Sequence, residues 1–213
     1  MESEQRKRGP GRPPSDEAAE GERREQILRA ADHLFGRRGY AAVSLGDVAA
    51  AVGVSKAALY HHFPSKAALY AAVMSRTLGL IAAYIRRAID EPGPVADKIH
   101  RLAEFPIVFL KAGADMDAMM RDADEHLSLD QRAEIAEADR ARLAAMEELM
   151  RQGAARGELR ADIEPRLLAH AFWHLLDGFV GRRRTAVGIE GRPETARAVA
   201  DLFLHGAGSR ASP

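Results

Sequence analysis

The chain has 213 residues, enough for one large domain or two small ones. Its 46% hydrophobic and 29% charged residues are the proportions of a globular protein, which excludes a disordered or fibrous chain. Net formal charge is zero and cysteine is absent, so disulfide frameworks, thiolate zinc sites and cysteine nucleophiles are excluded together.

Charge is uneven along the chain. Residues 1–76 carry 12 Lys and Arg against 9 Asp and Glu, and residues 23–70 carry 7 against 3. That local excess has the sign of a front end that meets phosphate. No apolar run approaches a membrane span and no hydrophobic signal core opens the chain, so the expected location is cytoplasmic.

Residues 1–21 are polar and rich in Pro and Gly and read as a flexible arm. Within it, Arg6-Lys7-Arg8-Gly9-Pro10-Gly11-Arg12 looks like an AT-hook, in which Arg8 and Arg12 would enter a narrow minor groove. From Glu22 the pattern turns helical. Ile27, Ala30, Ala31, Leu34 and Phe35 form one apolar stripe, and Gly39 can close the helix in a left-handed conformation.

A short helix follows, with Ser44 as its cap, Asp47 in its first turn and Gly46 as an interior cost of about 1 kcal/mol relative to alanine. Gly53 supplies a tight turn. Ser55 caps a third helix through His62, and Pro64 stops it. Ser65 caps a long fourth segment that runs to the break at Glu91-Pro92-Gly93-Pro94. Further helices are expected at roughly 95–112 (with a kink at Pro106), 115–127, 129–156, 164–184 and 193–206. No strand pattern of useful length competes, so the fold class is all-α.

Two short helices joined at a glycine have the layout of a helix-turn-helix, whose second helix enters the major groove. On that helix Leu59, with Phe63 four residues on, should face inward, leaving Lys56, Ala57, Tyr60 and His61 outward. Lys56 can donate to guanine or phosphate, Tyr60 and His61 to phosphate, and the small Ala57 and Ala58 permit close approach. Ser44 and Lys66 stand at helix N-termini, which favour phosphate.

The local string carries more. Gly53-Val54-Ser55, Leu59-Tyr60, His62-Phe63, Ser65-Lys66 and Leu69, preceded by Phe35, Gly39 and Tyr40, closely resemble the DNA-binding domain of the TetR family over about residues 22–81. The resemblance implies a three-helix DNA-reading head joined by a long helix to a C-terminal ligand-binding and dimerising body, residues 82–213. It implies a repressor that leaves double-stranded operator DNA when a small-molecule effector binds. Carried onto matching positions, it makes Ser44, Tyr60, His62 and Lys66 phosphate contacts and Lys56, Ala57 and Ala58 base-facing, with Ser55 at the head of the same helix.

A palindromic operator calls for a homodimer. The broad apolar surfaces near 164–184 (Leu167, Leu168, Ala171, Phe172, Leu175, Leu176, Phe179, Val180) and 193–206 (Val199, Ala200, Leu202, Phe203, Leu204) are its expected interface. Phe105, Phe109, Met116, Met119, Met120, Met146, Met150, Trp173 and His174 are the candidates for a largely apolar effector pocket, against the plainer reading of such a stripe as core.

His170, His174 and Asp177 share one helical face, with His126, Asp122 or Asp124 as outside partners for a metal. That spacing supplies two ligands and leaves the rest to chance, so no metal, cofactor or enzyme activity is expected. A regulator that binds DNA without sensing a ligand is the remaining alternative.

Overall fold

The structure, a computed structural model, describes residues 16–109, 126–180 and 193–208. Among them every regular element is a helix: α1 Asp16–Arg38, α2 Leu45–Val52, α3 Lys56–His62, α4 Lys66–Asp90, α5 Val95–Phe109, α6 Leu129–Ala155, α7 Pro165–Val180 and α8 Pro193–Ala207. One isolated antiparallel bridge, between Leu159 and Gly208, ties the α6–α7 turn to the end of α8.

Local chemistry explains the boundaries. Ser44 and Asp47 form a reciprocal capping box at α2, and Gly53 ends that helix at φ 75, a left-handed conformation that costs a residue with a side chain. Ser55 Oγ accepts from the Ala58 amide at 3.1 Å and Ser65 Oγ from the Ala68 amide at 3.0 Å, so one device starts both α3 and α4. Ser128 and Gln131 repeat the capping box at α6.

One boundary differs from expectation. α1 begins at Asp16, so residues 16–21 of the expected arm are helical. Glu20, early in the helix, favours the positive end of its dipole, which offsets part of the cost of Gly21 within it. α5 runs from Val95 through Pro106 to Phe109, within the helix expected over 95–112.

The apolar residues gather in two clusters. The head cluster joins Ile27 and Phe35 of α1, Val48 of α2, Leu59 of α3 and Leu69 to Leu78 of α4. It also takes in Leu127 and Ile135, from the start of α6 and the turn before it. The second cluster begins at Ile81 and Ile85 of α4 and collects α5, the rest of α6, α7 and α8. α4 therefore serves both cores as one unbroken rod.

By length and composition α4 could cross a membrane, contrary to the expectation that no apolar run approaches a span. In this fold 61% of its most apolar stretch is buried within the protein, so its hydrophobicity is that of a central core helix.

Candidate nucleic-acid interface

The α2–α3 pair presents its second helix with the expected polarity. Leu59 is fully buried and Phe63 nearly so, both within the head cluster. Lys56, Ala57, Ala58, Tyr60 and His61 are exposed, and His62 is half-buried. Tyr60, at 53% exposure, is a large aromatic that the fold leaves in solvent. His61 lies 3.9 Å from the Glu20 carboxylate of α1.

Beside this face opens a cleft of about 560 Å³, lined by the α1–α2 connection, the start of α2, Lys56 and Tyr60 of α3, and Pro64 to Lys66. Ser44, Lys56, Tyr60 and Lys66, four of the residues singled out in the sequence, line it together. Ser55, Ala57, Ala58, His61 and His62 are not among its lining residues and flank it on α3.

The cleft is organised from its floor. Lys66 Nζ donates to the Ala41 carbonyl at 3.2 Å and sits 4.3 Å from the centroid of the Tyr40 ring. Burial pushes the Lys66 ammonium below the usual lysine range and the Tyr40 phenol above its own. Tyr40 packs edge-on to Tyr70 at 5.0 Å and stacks on His126 at 5.6 Å. At the rim, the Ser44 hydroxyl is 2.5 Å from Asp47 Oδ2, a bond that holds the Asp47 carboxyl below the ordinary range. The result is a recess lined by two lysines, with the Ser44 hydroxyl engaged by Asp47 at its rim.

Sequence reasoning missed what Gly46 does. A Cβ on Gly46 would lie 2.8 Å from Lys56 Cε, 3.3 Å from Lys56 Nζ and 3.4 Å from Ser44 Oγ. The glycine that looks like a propensity cost is the floor on which the Lys56 side chain lies. The signal was present as a glycine in an otherwise well-formed helix, but its partner lies ten residues away in another element.

In the body, Met146 and Met150 are fully buried in the second cluster. Trp173 is half-buried, with the guanidinium carbon of buried Arg142 4.1 Å from its ring centroid. His174 is exposed and stacks on His170 at 6.2 Å. Among the described residues no group of three or more metal-ligating side chains converges. Arg8, Arg12, Met116, Met119, Met120, Asp122 and Asp124 lie outside the described residues, as do the side chains of Phe105, Phe109, Asp177, Phe179 and Val180. α7 and α8 bury Leu168, Phe172, Leu176, Val199 and Phe203 inward, while Leu167 and Leu202 stand out at 60% and 61% exposure.

Residues 27–73 match the family described as bacterial regulatory proteins, tetR family. The chain is similar to the HTH-type transcriptional activator FasR of Mycolicibacterium smegmatis, 44% identical over 68 residues that are 32% of this chain and 31% of that protein. The chain thus spans about a third of that relative's length. It is also similar to the HTH-type transcriptional repressor AcnR of Corynebacterium efficiens, 27% identical over 80% of this chain and 87% of that one. In fold it resembles the transcriptional regulator FadR of Bacillus subtilis, solved in complex with stearoyl-CoA, with a TM-score of 0.70 at 18% identity over 85% of this chain and 98% of that one. The capped helix-turn-helix segment is thus similar, over residues 27–73, to the bacterial regulatory proteins of the tetR family, and the helical architecture of the chain is shared with solved transcriptional regulators such as FadR.

Proposed function

We propose that this protein is a repressor that binds a palindromic operator as a homodimer and releases it when a small, largely apolar effector occupies the body. The observation that carries the reading is the outward face of α3 beside a cleft in which Lys56, Lys66, Tyr60 and Ser44 converge. Residues 22–81 act as the DNA-binding unit. Ala57 and Ala58 approach the bases, and His61 donates to phosphate. Ser44, Ser55, Tyr60, His62 and Lys66 meet the backbone, and Arg8 and Arg12 reach an adjoining minor groove.

Dimerisation runs through α7 and α8. Exposed Leu167 and Leu202 support it, because large aliphatic side chains on two neighbouring helices gain from a second copy. Two heads then address half-sites about 34–36 Å apart. The effector pocket draws on Trp173, His174 and the buried Met146 and Met150, together with Phe105, Phe109, Met116, Met119 and Met120, whose apolar and thioether side chains suit such a ligand. FadR's complex with stearoyl-CoA supports an apolar effector, and the long match to AcnR supports repression over activation. The protein works in the cytoplasm, where its DNA is.

The test is selection of a duplex from random DNA by the full chain, followed by affinity measured against salt. A palindromic site with a steep negative salt slope is expected. Tyr60→Ala and Lys66→Ala should weaken it, and a long-chain acyl-CoA, used as an apolar probe, should release it. Undiminished operator affinity in both variants would overturn the assignment of the reading face.

A further inference from the structure

Lys56 opens α3, the helix that reads DNA in the proposal above, and a lysine there is expected to reach for a base edge. The structure turns it elsewhere. Its stem lies across α2 at Gly46, so close that a Cβ on that residue would be 2.8 Å from Lys56 Cε. The ammonium stays beside the same point, 3.3 Å from the position of that Cβ, and Ser44 Oγ is 3.4 Å from it. Lys56 thus shares the cleft with Lys66 instead of projecting from the exposed side of α3.

We infer that Gly46 is a positioning residue that seats Lys56 in the cleft, making Lys56 a ligand of a DNA backbone phosphate and withdrawing it from base reading. The inference rests on the DNA-binding reading and assigns roles within it.

Three features support the assignment. Gly46 is a poor helix former at the second position of an eight-residue helix, a local cost that is offset if the space it leaves has a use. Lys66, across the cleft, is anchored at Ala41 and Tyr40, so two cations line one recess instead of one. The remaining exposed positions of α3 include two alanines, which read bases by fit and methyl contact and need no ammonium beside them.

Base contacts and phosphate contacts leave different signatures. A lost base contact relaxes preference at one position. A lost phosphate contact weakens all sequences alike and flattens the salt dependence by about one unit of slope per head, or about two for a dimer. The experiment uses the full chain, its selected duplex and a panel of single-base-pair variants of that duplex, titrated across salt concentrations. The proteins are wild type, Lys56→Ala, Lys56→Arg, Gly46→Ala and the double variant, each checked for helicity by circular dichroism.

Lys56→Ala should lower affinity for every duplex by the same factor and flatten the slope, and Lys56→Arg should restore the slope. Gly46→Ala should keep its helicity and yet flatten the slope as Lys56→Ala does, with the double variant no worse than Lys56→Ala alone. An unchanged slope in Lys56→Ala with lost discrimination at one base pair would overturn the inference while leaving DNA binding intact. So would additive losses in the double variant. A wild-type protein without salt-dependent binding to any duplex would instead remove the DNA-binding reading, and this assignment with it.

Discussion

Arg76 of α4 donates from Nε to both carboxylate oxygens of Glu25 on α1, each at 2.9 Å. The pair ties the first helix of the head to the rod that leads into the body, over a sequence separation of 51 residues. The Arg76 hydrogen bonds hold the Glu25 carboxyl below its usual range, against a partial opposing effect of burial. A carboxyl depressed in the folded state stabilises above its unfolded value, and that stability is lost as pH falls through the folded one. Because Glu25 is 38% exposed, solvent screening keeps the effect small. Glu25→Gln should therefore lower Tm by about 1–3 °C at neutral pH. The deficit should close in acid, which thermal melts from pH 7 to pH 3 would reveal.

Asp32, about two helical turns further along α1, should behave with the opposite sign. Burial pushes its carboxyl above the ordinary range, with Arg76 and His33 only partly compensating. Ionising it costs more in the folded than in the unfolded state, so its charge destabilises at neutral pH and does nothing once both states are protonated. Asp32→Asn should raise Tm by about 1–3 °C at pH 7 and leave it unchanged below about pH 3. Parallel melts of Glu25→Gln and Asp32→Asn would thus move apart at neutral pH and meet in acid. A lower Tm for Asp32→Asn at pH 7 would show that its pairing outweighs its burial.

Gly153 is buried near the end of α6, and a Cβ there would lie 2.7 Å from Leu159 Cδ1, 2.8 Å from Leu159 Cγ and 3.2 Å from Val95 Cγ1. Leu159 is itself buried and held by the bridge to Gly208, so it has little room to retreat. Gly153→Ala gains about 1 kcal/mol of helix propensity but incurs overpacking of about 1–3 kcal/mol. A net loss is expected in denaturant melts. Gly21→Ala, at an open position on α1, should show the propensity gain alone.

Trp173 is the single tryptophan of the chain, and the Arg142 guanidinium sits over its ring. Arg142 is buried and also bonds Asp139 at 2.8 Å, so it links α6 to α7. Arg142→Met keeps much of the packing volume and removes the cation, a contact worth about 0.5–2 kcal/mol. Trp173 emission should change in wavelength or intensity while far-ultraviolet circular dichroism does not. Identical emission in the two proteins would mean that the contact is not populated in solution.

The head was legible in the sequence because its helices carry their own punctuation. Ser44, Ser55 and Ser65 each precede a helix and cap it, and Gly53 adopts the left-handed turn its position suggested. Leu59 faces inward and Tyr60 outward, as a 3.6-residue period requires. The start of α1 was missed because Gly21 resembles a breaker, whereas Glu20 before it favours a helix through it. Glu25 with Arg76, Arg142 with Trp173 and Tyr40 with His126 were out of reach for another reason. Each pair joins residues that only tertiary packing brings together, and no periodicity encodes such a meeting. The fit of Lys56 onto Gly46 belongs to the same class.

Leu127 and Ile135 belong to the body by sequence, yet they close the apolar side of the head. A fragment cut after Asp90 would leave a greasy socket open to water where Leu127 had been. Residues 16–90 are therefore not a detachable module that can be grafted onto an unrelated helical body. Any swap of bodies must carry over the first turns of α6, or the transplanted head will be finished by whatever foreign side chain happens to fill the gap.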